Sequence, residues 1–156
     1  MIRPMTPTDK FPHIALEGVS LVELNPDEFG ALLPLHNGLS AHMAQSPSFM
    51  PAHFYTDEDL AEAFARRNSR IFAARDHNGI FAYMETTAEG ENFASISPSM
   101  RSICGAYMLS EYRGRGIYDA LLDHLIGVFA AEGFTHLGVD FESFNPTARG
   151  FWLRHF

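Results

Sequence analysis

Hydrophobic periodicity is clearest in the last third of the chain. Between Ile117 and Glu132 the apolar residues recur three and four positions apart, as on one face of an α-helix. Gly133 follows, and glycine often ends a helix because it adopts a left-handed backbone easily. Phe134–Phe141 is predicted as a strand. Asn145-Pro146 is typical of a helix start, so the pattern predicts helix, strand and short helix in succession.

Shorter elements are predicted before this region. Val19–Leu24 is a strand candidate. Asn25 can cap a helix that continues past Pro34, with a kink at the proline, toward Met43. Thr56 begins a second helix, since a threonine followed three positions later by an acid fits a capping box.

Three further strands are predicted in the middle of the chain. Ser69–Arg75 and Ile80–Thr86 flank an Asn-Gly turn, which is typical of a tight hairpin. Ile103–Leu109 is apolar enough for a central strand, and Glu89–Met100 is predicted as a polar loop. Residues 1–17 contain three prolines and are predicted as an irregular arm. The order β-αα-ββ-β-α-β-α predicts one mixed α/β (α+β) domain over residues 18–156.

Composition narrows the function classes. The 156 residues carry a formal net charge of −8, which argues against nucleic-acid binding, since that function needs a basic face. Cys104 is the single cysteine, so an internal disulfide and a cysteine zinc site are excluded, and in its apolar strand we expect a buried, inert thiol. No apolar run is long enough to cross a membrane. We therefore expect a cytoplasmic protein that binds no metal.

The segment Glu111–Tyr118 carries the most informative motif. It lies between a predicted strand and a predicted helix, and it contains Gly114 and Gly116. Glycines let the backbone turn tightly, so that several N–H groups point at one anion, and the helix N-terminus adds partial positive charge. Arg113 and Arg115 can add charge-assisted hydrogen bonds. These features predict a cradle for a diphosphate.

The same segment allows a plainer interpretation. It is not a P-loop, since no Lys-Ser/Thr pair follows the second glycine, and Asp119 occupies the third glycine's place in a dinucleotide fingerprint. On local spacing alone it can also be a glycine-rich turn with arginines that face solvent.

The chain resembles the Gcn5-related N-acetyltransferase (GNAT) superfamily at two places. Arg113-x-x-Gly116-x fits the first five positions of the acetyl-CoA signature Q/R-x-x-G-x-G/A. Asn145-x-x-Ala148-x-x-Phe151-Trp152 resembles the second signature, N-x-x-A-x-x-[FL]-Y. One helix and one strand are predicted between the two motifs, as in that superfamily.

The resemblance implies a central mixed, mostly antiparallel sheet flanked by helices, and acetyl-CoA as co-substrate. It implies a V-shaped gap between the strands that end at Leu109 and Phe141. Backbone groups of Tyr107, Met108 and Leu109 would pair with the pantetheine, with the Met108 N–H polarising the thioester carbonyl. The residues implied to hold the rest of the cofactor are Arg113, Gly114, Arg115, Gly116, Ile117 and Tyr118 at the diphosphate and Asn145 at the pantetheine.

Three departures from the superfamily pattern matter. Tyr118 replaces the small last residue of the first signature. Trp152 stands where the superfamily often has a tyrosine that protonates the departing thiolate, and an indole N–H is not a useful acid. The chain ends at Phe156, where the superfamily has at least one more strand. We therefore expect a sheet that lacks its last strand, through truncation, completion by a partner or loss.

The implied reaction is direct attack of a primary amine, from a small molecule or a peptide, on the acetyl group. The amine must lose a proton, and the best candidates for the base are Glu85 and Glu142. Tyr112, Tyr107 or a water could be the acid. The segment Leu35–Tyr55 should roof the acceptor pocket.

Two other functions stay open. One is an acyl-CoA-binding domain without turnover, or half of a tandem protein, and the other is an interaction domain without CoA. An open sheet edge would also allow a homodimer.

Overall fold

The computed structural model describes residues 1–5, 16–45, 55–88, 99–141 and 145–156. The strands found there are β1 (Ile2–Pro4), β2 (Ser20–Glu23), β3 (Arg70–Asp76), β4 (Gly79–Thr87), β5 (Met100–Met108) and β6 (His136–Val139). The α-helices are α1 (Leu33–Met43), α2 (Asp57–Arg66), α3 (Ile117–Ala131) and α4 (Pro146–His155). Within these stretches, no helix has the length and apolar character needed to cross a membrane.

The six strands form one sheet in the order β1-β6-β5-β4-β3-β2. Four of the neighbouring pairs are antiparallel, and β5 with β6 is the parallel pair. A parallel pair needs a long crossover, which α3 supplies between β5 and β6. The expected mixed, mostly antiparallel sheet is therefore confirmed.

Alternation along the strands divides the core between the two faces of the sheet. On β3, Ile71 and Ala73 pack in one cluster with Leu35 of α1 and Phe64 of α2. Phe72 lies between them and packs on the other face, in a cluster with α3 and α4 that we call the α3-side core. Because successive strand residues point to opposite faces, one strand supplies both cores.

The start of α1 differs from the prediction. Pro26–Leu32 is a 3-10 helix, and the α-helix begins only at Leu33, with Pro34 in its first turn. A proline is tolerated in the first turn, where its missing N–H would have no partner. Pro34 therefore begins a new helix instead of kinking one long helix. The other predicted helices begin within one residue of where the structure places them.

The first residues of the chain are not an irregular arm. Ile2–Pro4 form β1, which pairs antiparallel with β6, and the Val139 N–H donates to the Met1 carbonyl at 2.8 Å. Met5 is buried in the α3-side core. The outer edge of β6 is thus paired with β1. Residues 6–15 lie outside the described part of the chain.

Strand β6 is shorter than predicted. It covers His136–Val139, whereas the apolar run suggested Phe134–Phe141. Phe134 belongs to the turn after α3, where its N–H donates to the Phe129 carbonyl at 3.0 Å. The sequence pattern shows which residues are apolar but not where a neighbouring strand stops pairing.

Arg70 connects three elements at the surface of the sheet. Its guanidinium makes two hydrogen bonds to Glu23 of β2, at 2.6 and 2.9 Å. It makes two more to Glu132, just after α3, at 2.5 and 2.8 Å. Bidentate arginine–carboxylate pairs are the strong kind of surface ion pair. The hydrogen bond from Arg70 lowers the pKa of Glu132.

We expect Arg70→Gln to lower the free energy of unfolding by about 1–2 kcal/mol, since partial exposure weakens each bond. The lowered pKa of Glu132 makes this contribution present above pH 4.5, the ordinary value, and lost as the pH falls through the lowered one. Urea unfolding at several pH values measures it. Arg75→Gln, which removes a single 3.2 Å contact with Glu28, is the control and should cost less. Equal losses in the two variants would contradict the role given to Arg70.

Candidate functional site

A gap opens in the sheet where β5 and β6 part. Their parallel pairing ends at Ile103 and Val139, while β5 continues to Met108. At the same place the pairing between β4 and β5 shifts by one residue, so Cys104 is the extra residue of a β-bulge. Bulges bend a strand and increase its twist, which turns β5 away from β6. The predicted gap is therefore present, with strand ends at Met108 and Val139.

The backbone of β5 turns polar groups into this gap. The Leu109 N–H donates to the Phe81 carbonyl at 3.0 Å, toward β4. Neighbouring residues in an antiparallel pair alternate between groups that face the partner and groups that face away. Met108 therefore directs its N–H and carbonyl into the gap. The backbone groups of Leu109 and Tyr107, which were predicted to pair with the same ligand, do not.

A cavity of about 460 Å³ occupies the gap and continues to the start of α3. Its walls come from β5, from the turn before α3 and the first residues of α3, from α4, and from the C-terminal end of α1. A volume of this size can hold much of a drug-sized ligand. The structure brings eight of the predicted cofactor residues to this cavity: Tyr107, Met108, Arg113, Gly114, Gly116, Ile117, Tyr118 and Asn145.

The glycine turn has the backbone that an anion cradle needs. Gly114 and Gly116 have φ angles of 78° and 74°, in the left-handed region. Gly116 is the N-cap of α3, so no side chain of the cap residue accepts a hydrogen bond from the first-turn amides. A Cβ built on either glycine meets no atom within 4 Å, so the space beside both is open.

The guanidinium groups of both arginines of the motif donate to backbone carbonyls of the protein. Arg113 lines the cavity, but its guanidinium donates to the Met108 carbonyl at 3.0 and 3.2 Å. Arg115 is exposed and outside the cavity wall, where it donates to the Glu111 carbonyl at 2.9 Å. The positive charge at the turn therefore comes from Arg113 and the α3 N-terminus.

Asn145 is fixed as the cap of α4. Its Oδ1 accepts from the Ala148 N–H at 3.1 Å, as expected for a helix N-cap. Its Nδ2 lies 3.2 Å from Nε2 of His42, at the end of α1. His42 lines the cavity and was not among the predicted site residues. No motif includes it, because only the tertiary fold brings the end of α1 to α4.

Aromatic side chains form the wall on the α4 side. Trp152 is 5% exposed and lines the cavity, packed in the α3-side core. The ring centroids of Tyr118 and Phe151 are 5.6 Å apart, and both residues line the cavity. Burial raises the pKa of the Tyr118 phenol well above its usual value. The large residue in the first signature thus becomes part of the wall.

Glu85, a predicted base, and Tyr112, a predicted acid, both lie outside this cavity. Glu85 is 3% exposed, and its Oε1 accepts from Ser69 at 2.5 Å and from Arg67 at 3.0 Å. Tyr112 stacks on Phe81 and donates to Asp76 at 2.8 Å, which raises its own pKa. Neither Glu85 nor Tyr112 lines the cavity.

Two predictions on the acceptor side concern residues outside the described part of the chain. Glu142, a predicted base, lies outside it, and so do residues 46–54 of the predicted roof. The described part of the roof includes Leu39 and His42, which line the cavity.

Cys104 differs from the expected buried thiol. It is exposed at the bulge, but nearby protein atoms still remove water from the thiol, and Glu85 adds negative charge. Together these effects raise its pKa to about 12, so the thiol stays protonated at neutral pH. Among the described residues no three His, Cys, Asp or Glu side chains could hold a metal ion together.

Comparisons with known proteins agree with this geometry. The model of the acetyltransferase (GNAT) family matches residues 39–156. No curated protein sequence matches the chain. The fold is similar to several solved structures, each under 20% identical.

Three of them illustrate the range. The PaiA N-acetyltransferase of Thermoplasma acidophilum, in complex with coenzyme A, has 13% identity and a TM-score of 0.68 over 88% of this chain and 87% of that one. An aminoglycoside acetyltransferase from an uncultured soil metagenomic sample, in complex with sisomicin, has 14% identity and a TM-score of 0.70 over 88% and 86%. The ribosomal-protein-alanine N-acetyltransferase of Brucella melitensis biovar Abortus 2308 has 18% identity and a TM-score of 0.64 over 87% and 89%.

We expect Arg67→Gln to lower the free energy of unfolding by about 1–2 kcal/mol, because it leaves the buried Glu85 carboxylate with one fewer charged donor. Arg66→Gln is the matched control, since Arg66 is exposed and lies 3.9 Å from Glu62. Its change should stay within about 0.5 kcal/mol. Thermal unfolding of both variants decides the matter. Indistinguishable variants would show that the Arg67–Glu85 pair contributes nothing to stability.

Proposed function

Because the chain belongs to the acetyltransferase (GNAT) family, we propose that it is an N-acetyltransferase. It transfers the acetyl group of acetyl-CoA to a primary amine of a small molecule or peptide by direct attack. The observation that carries this proposal is the gap beside β5 that leads to the open glycine turn of α3. One continuous cavity thus joins a strand edge to a helix N-terminus.

The glycine turn fits the diphosphate of CoA. The amides of Gly114, Arg115, Gly116, Ile117 and Tyr118 would hold it. The left-handed glycines leave open space at the turn, and the start of α3 contributes the positive end of its dipole. Arg113 adds a full positive charge to the same wall. A side chain at either glycine would enter the volume that the phosphates need.

The edge of β5 fits the pantetheine arm. Tyr107 and Met108 line the cavity beside the gap, and Asn145 faces them from α4. The Met108 N–H points into the gap, where it would donate to the thioester oxygen and stabilise the negative charge that develops there. The Met108 carbonyl already accepts from Arg113, so pairing on this side rests on the N–H.

The acceptor class is a primary amine, and the chain's charge favours a cationic one. The formal net charge of −8 attracts cations at long range. The similar structures include an enzyme named for ribosomal-protein alanine and another named for aminoglycosides, so both a peptide and a small molecule fit this fold. A cytoplasmic location agrees with the single reduced cysteine.

A second candidate function is binding of acyl-CoA without turnover. Trp152 favours it, because this residue stands in the place of the expected tyrosine and carries no titratable proton. The same cavity and glycine turn would serve either function. The two are separated by whether thiol is released.

CoA at about 100 times its Kd should stabilise the folded state by about 2.7 kcal/mol. Gly116→Ala should weaken CoA binding at least about tenfold, because its Cβ enters the anion cradle. Isothermal titration and thermal shift measure both quantities.

Gly133→Ala is the matched control for this variant. Gly133 has a φ of 90° at the other end of α3, and a Cβ there also meets nothing within 4 Å. Both variants should lose stability by about 1–2 kcal/mol through left-handed strain. Gly133→Ala should keep full CoA affinity. Unchanged affinity in Gly116→Ala would remove the diphosphate from this turn.

A further prediction concerns turnover. With acetyl-CoA and a panel of primary amines, the wild-type protein should release thiol and form an acetylated amine, detected by a thiol reagent and by mass spectrometry. A panel of a short diamine, an aminoglycoside and a peptide beginning with alanine covers the acceptor classes above. CoA binding without release for any of them would favour the binding function instead.

A further inference from the structure

The path of α1 across the sheet places His42 over the gap. His36 Nδ1 lies 3.0 Å from the Tyr83 hydroxyl, so this part of α1 is over β4. Gly38 packs against Tyr107 on β5, where a Cβ would come within 2.8 Å of the ring. His42, one turn later, reaches Asn145 at the start of α4. Since α4 follows β6, the end of α1 spans the opening between β5 and β6.

The contact with Asn145 shows which nitrogen of His42 has a lone pair. Asn145 Oδ1 is used as the acceptor for the Ala148 N–H, which fixes the amide orientation. The group at 3.2 Å from His42 Nε2 is then the NH₂ of Asn145, a donor. In the tautomer that carries its proton on Nδ1, Nε2 accepts this hydrogen bond. A neutral imidazole with an available Nε2 is the form that can take up a proton.

The other titratable or charged residues of the cavity wall are poorly suited to carry a proton. In the described part of the chain they are Tyr107 of β5, Arg113 of the turn, Tyr118 and Asp119 of α3, and Arg154 of α4. Guanidinium groups do not release a proton at neutral pH. Burial raises the pKa of Tyr118, and Asp119 Oδ1 lies 2.7 Å from His155 Nε2. Tyr107 packs beneath Gly38, and the Arg113 guanidinium lies over its ring.

We propose that His42 carries the proton from the attacking amine to the departing thiolate. This inference rests on the proposed acetyltransferase function and assigns it a catalytic residue. His42 would take the place of the tyrosine that Trp152 replaces. A carboxylate base in the cavity would then be unnecessary. Glu85, one of the predicted bases, is held by Arg67 and Ser69 outside the cavity.

Once the amine has lost its extra proton to water and is neutral, the proton balance needs no other group. The amine nitrogen forms a bond to the acetyl carbonyl carbon, and its proton moves to His42 Nε2. The carbon–sulfur bond then breaks, and its electron pair leaves on sulfur. The imidazolium gives the proton to that sulfur, which yields the acetylated amine, free CoA thiol and neutral His42. For each turnover the Asn145 amide must release Nε2 and bind it again.

The test compares His42→Gln with His77→Gln. Glutamine keeps polarity at position 42 but cannot shuttle a proton, and His77 is an exposed histidine in the β3–β4 turn, away from the cavity. CoA affinity should change less than about threefold in both variants, since neither alters the glycine turn. With the amine panel above, kcat should fall at least about 100-fold in His42→Gln alone. Exogenous imidazole should restore part of the rate in His42→Ala.

A second measurement needs no acceptor. The thiol of bound CoA is titrated by the ultraviolet absorbance of its thiolate. Neutral His42 can take the proton of the bound thiol and form an imidazolium–thiolate pair, so the thiolate should appear at lower pH on the wild-type protein than on His42→Gln.

The outcomes separate the two claims. If the wild-type protein binds CoA but its thiol titrates as on His42→Gln, or if His42→Gln keeps its kcat, then the shuttle is overturned while the acetyltransferase proposal stands. If the wild-type protein binds no CoA, both are overturned. A lower thiol pKa that depends on His42 supports the shuttle.

Discussion

The divergence of β5 from β6 is the constraint on which the candidate site depends. Backbone pairing between these strands stops at Ile103 and Val139, and the bulge at Cys104 turns β5 away at the same point. If pairing continued, the Met108 N–H would be used inside the sheet and no cavity would form. The gap instead leaves a strand edge in a water-accessible cavity, where it can pair with an extended ligand.

The neighbouring elements then determine the chemistry around this gap. After β5 the chain turns through two left-handed glycines into α3, so a helix N-terminus faces one end of the cavity. The crossover returns as β6, and Asn145 then begins α4 on the opposite wall. Helix α1 packs on the other face of the sheet and brings His42 to Asn145. One end of the cavity thus attracts an anion, and α1 and α4 supply an imidazole and an amide.

Much of this could be predicted from the sequence, because the signals are local. The periodicity of α3, the glycines of its first turn and the Asn-Pro start of α4 each depend on a few adjacent residues. The predictions that failed concern residues whose structure depends on contacts with residues far away in the chain. Pairing with β6 turns Ile2–Pro4 into a strand, and the position of Glu85 depends on its contact with Arg67. His42 belongs to no motif, and only the path of α1 brings it to the cavity.

A crystal structure of the protein with CoA tests the central claim most directly. The account predicts diphosphate oxygens within hydrogen-bond distance of the backbone amides between Gly114 and Tyr118, with the pantetheine lying along β5 beside Met108. A diphosphate bound elsewhere on the protein, or a pantetheine that never enters the gap between β5 and β6, would contradict it.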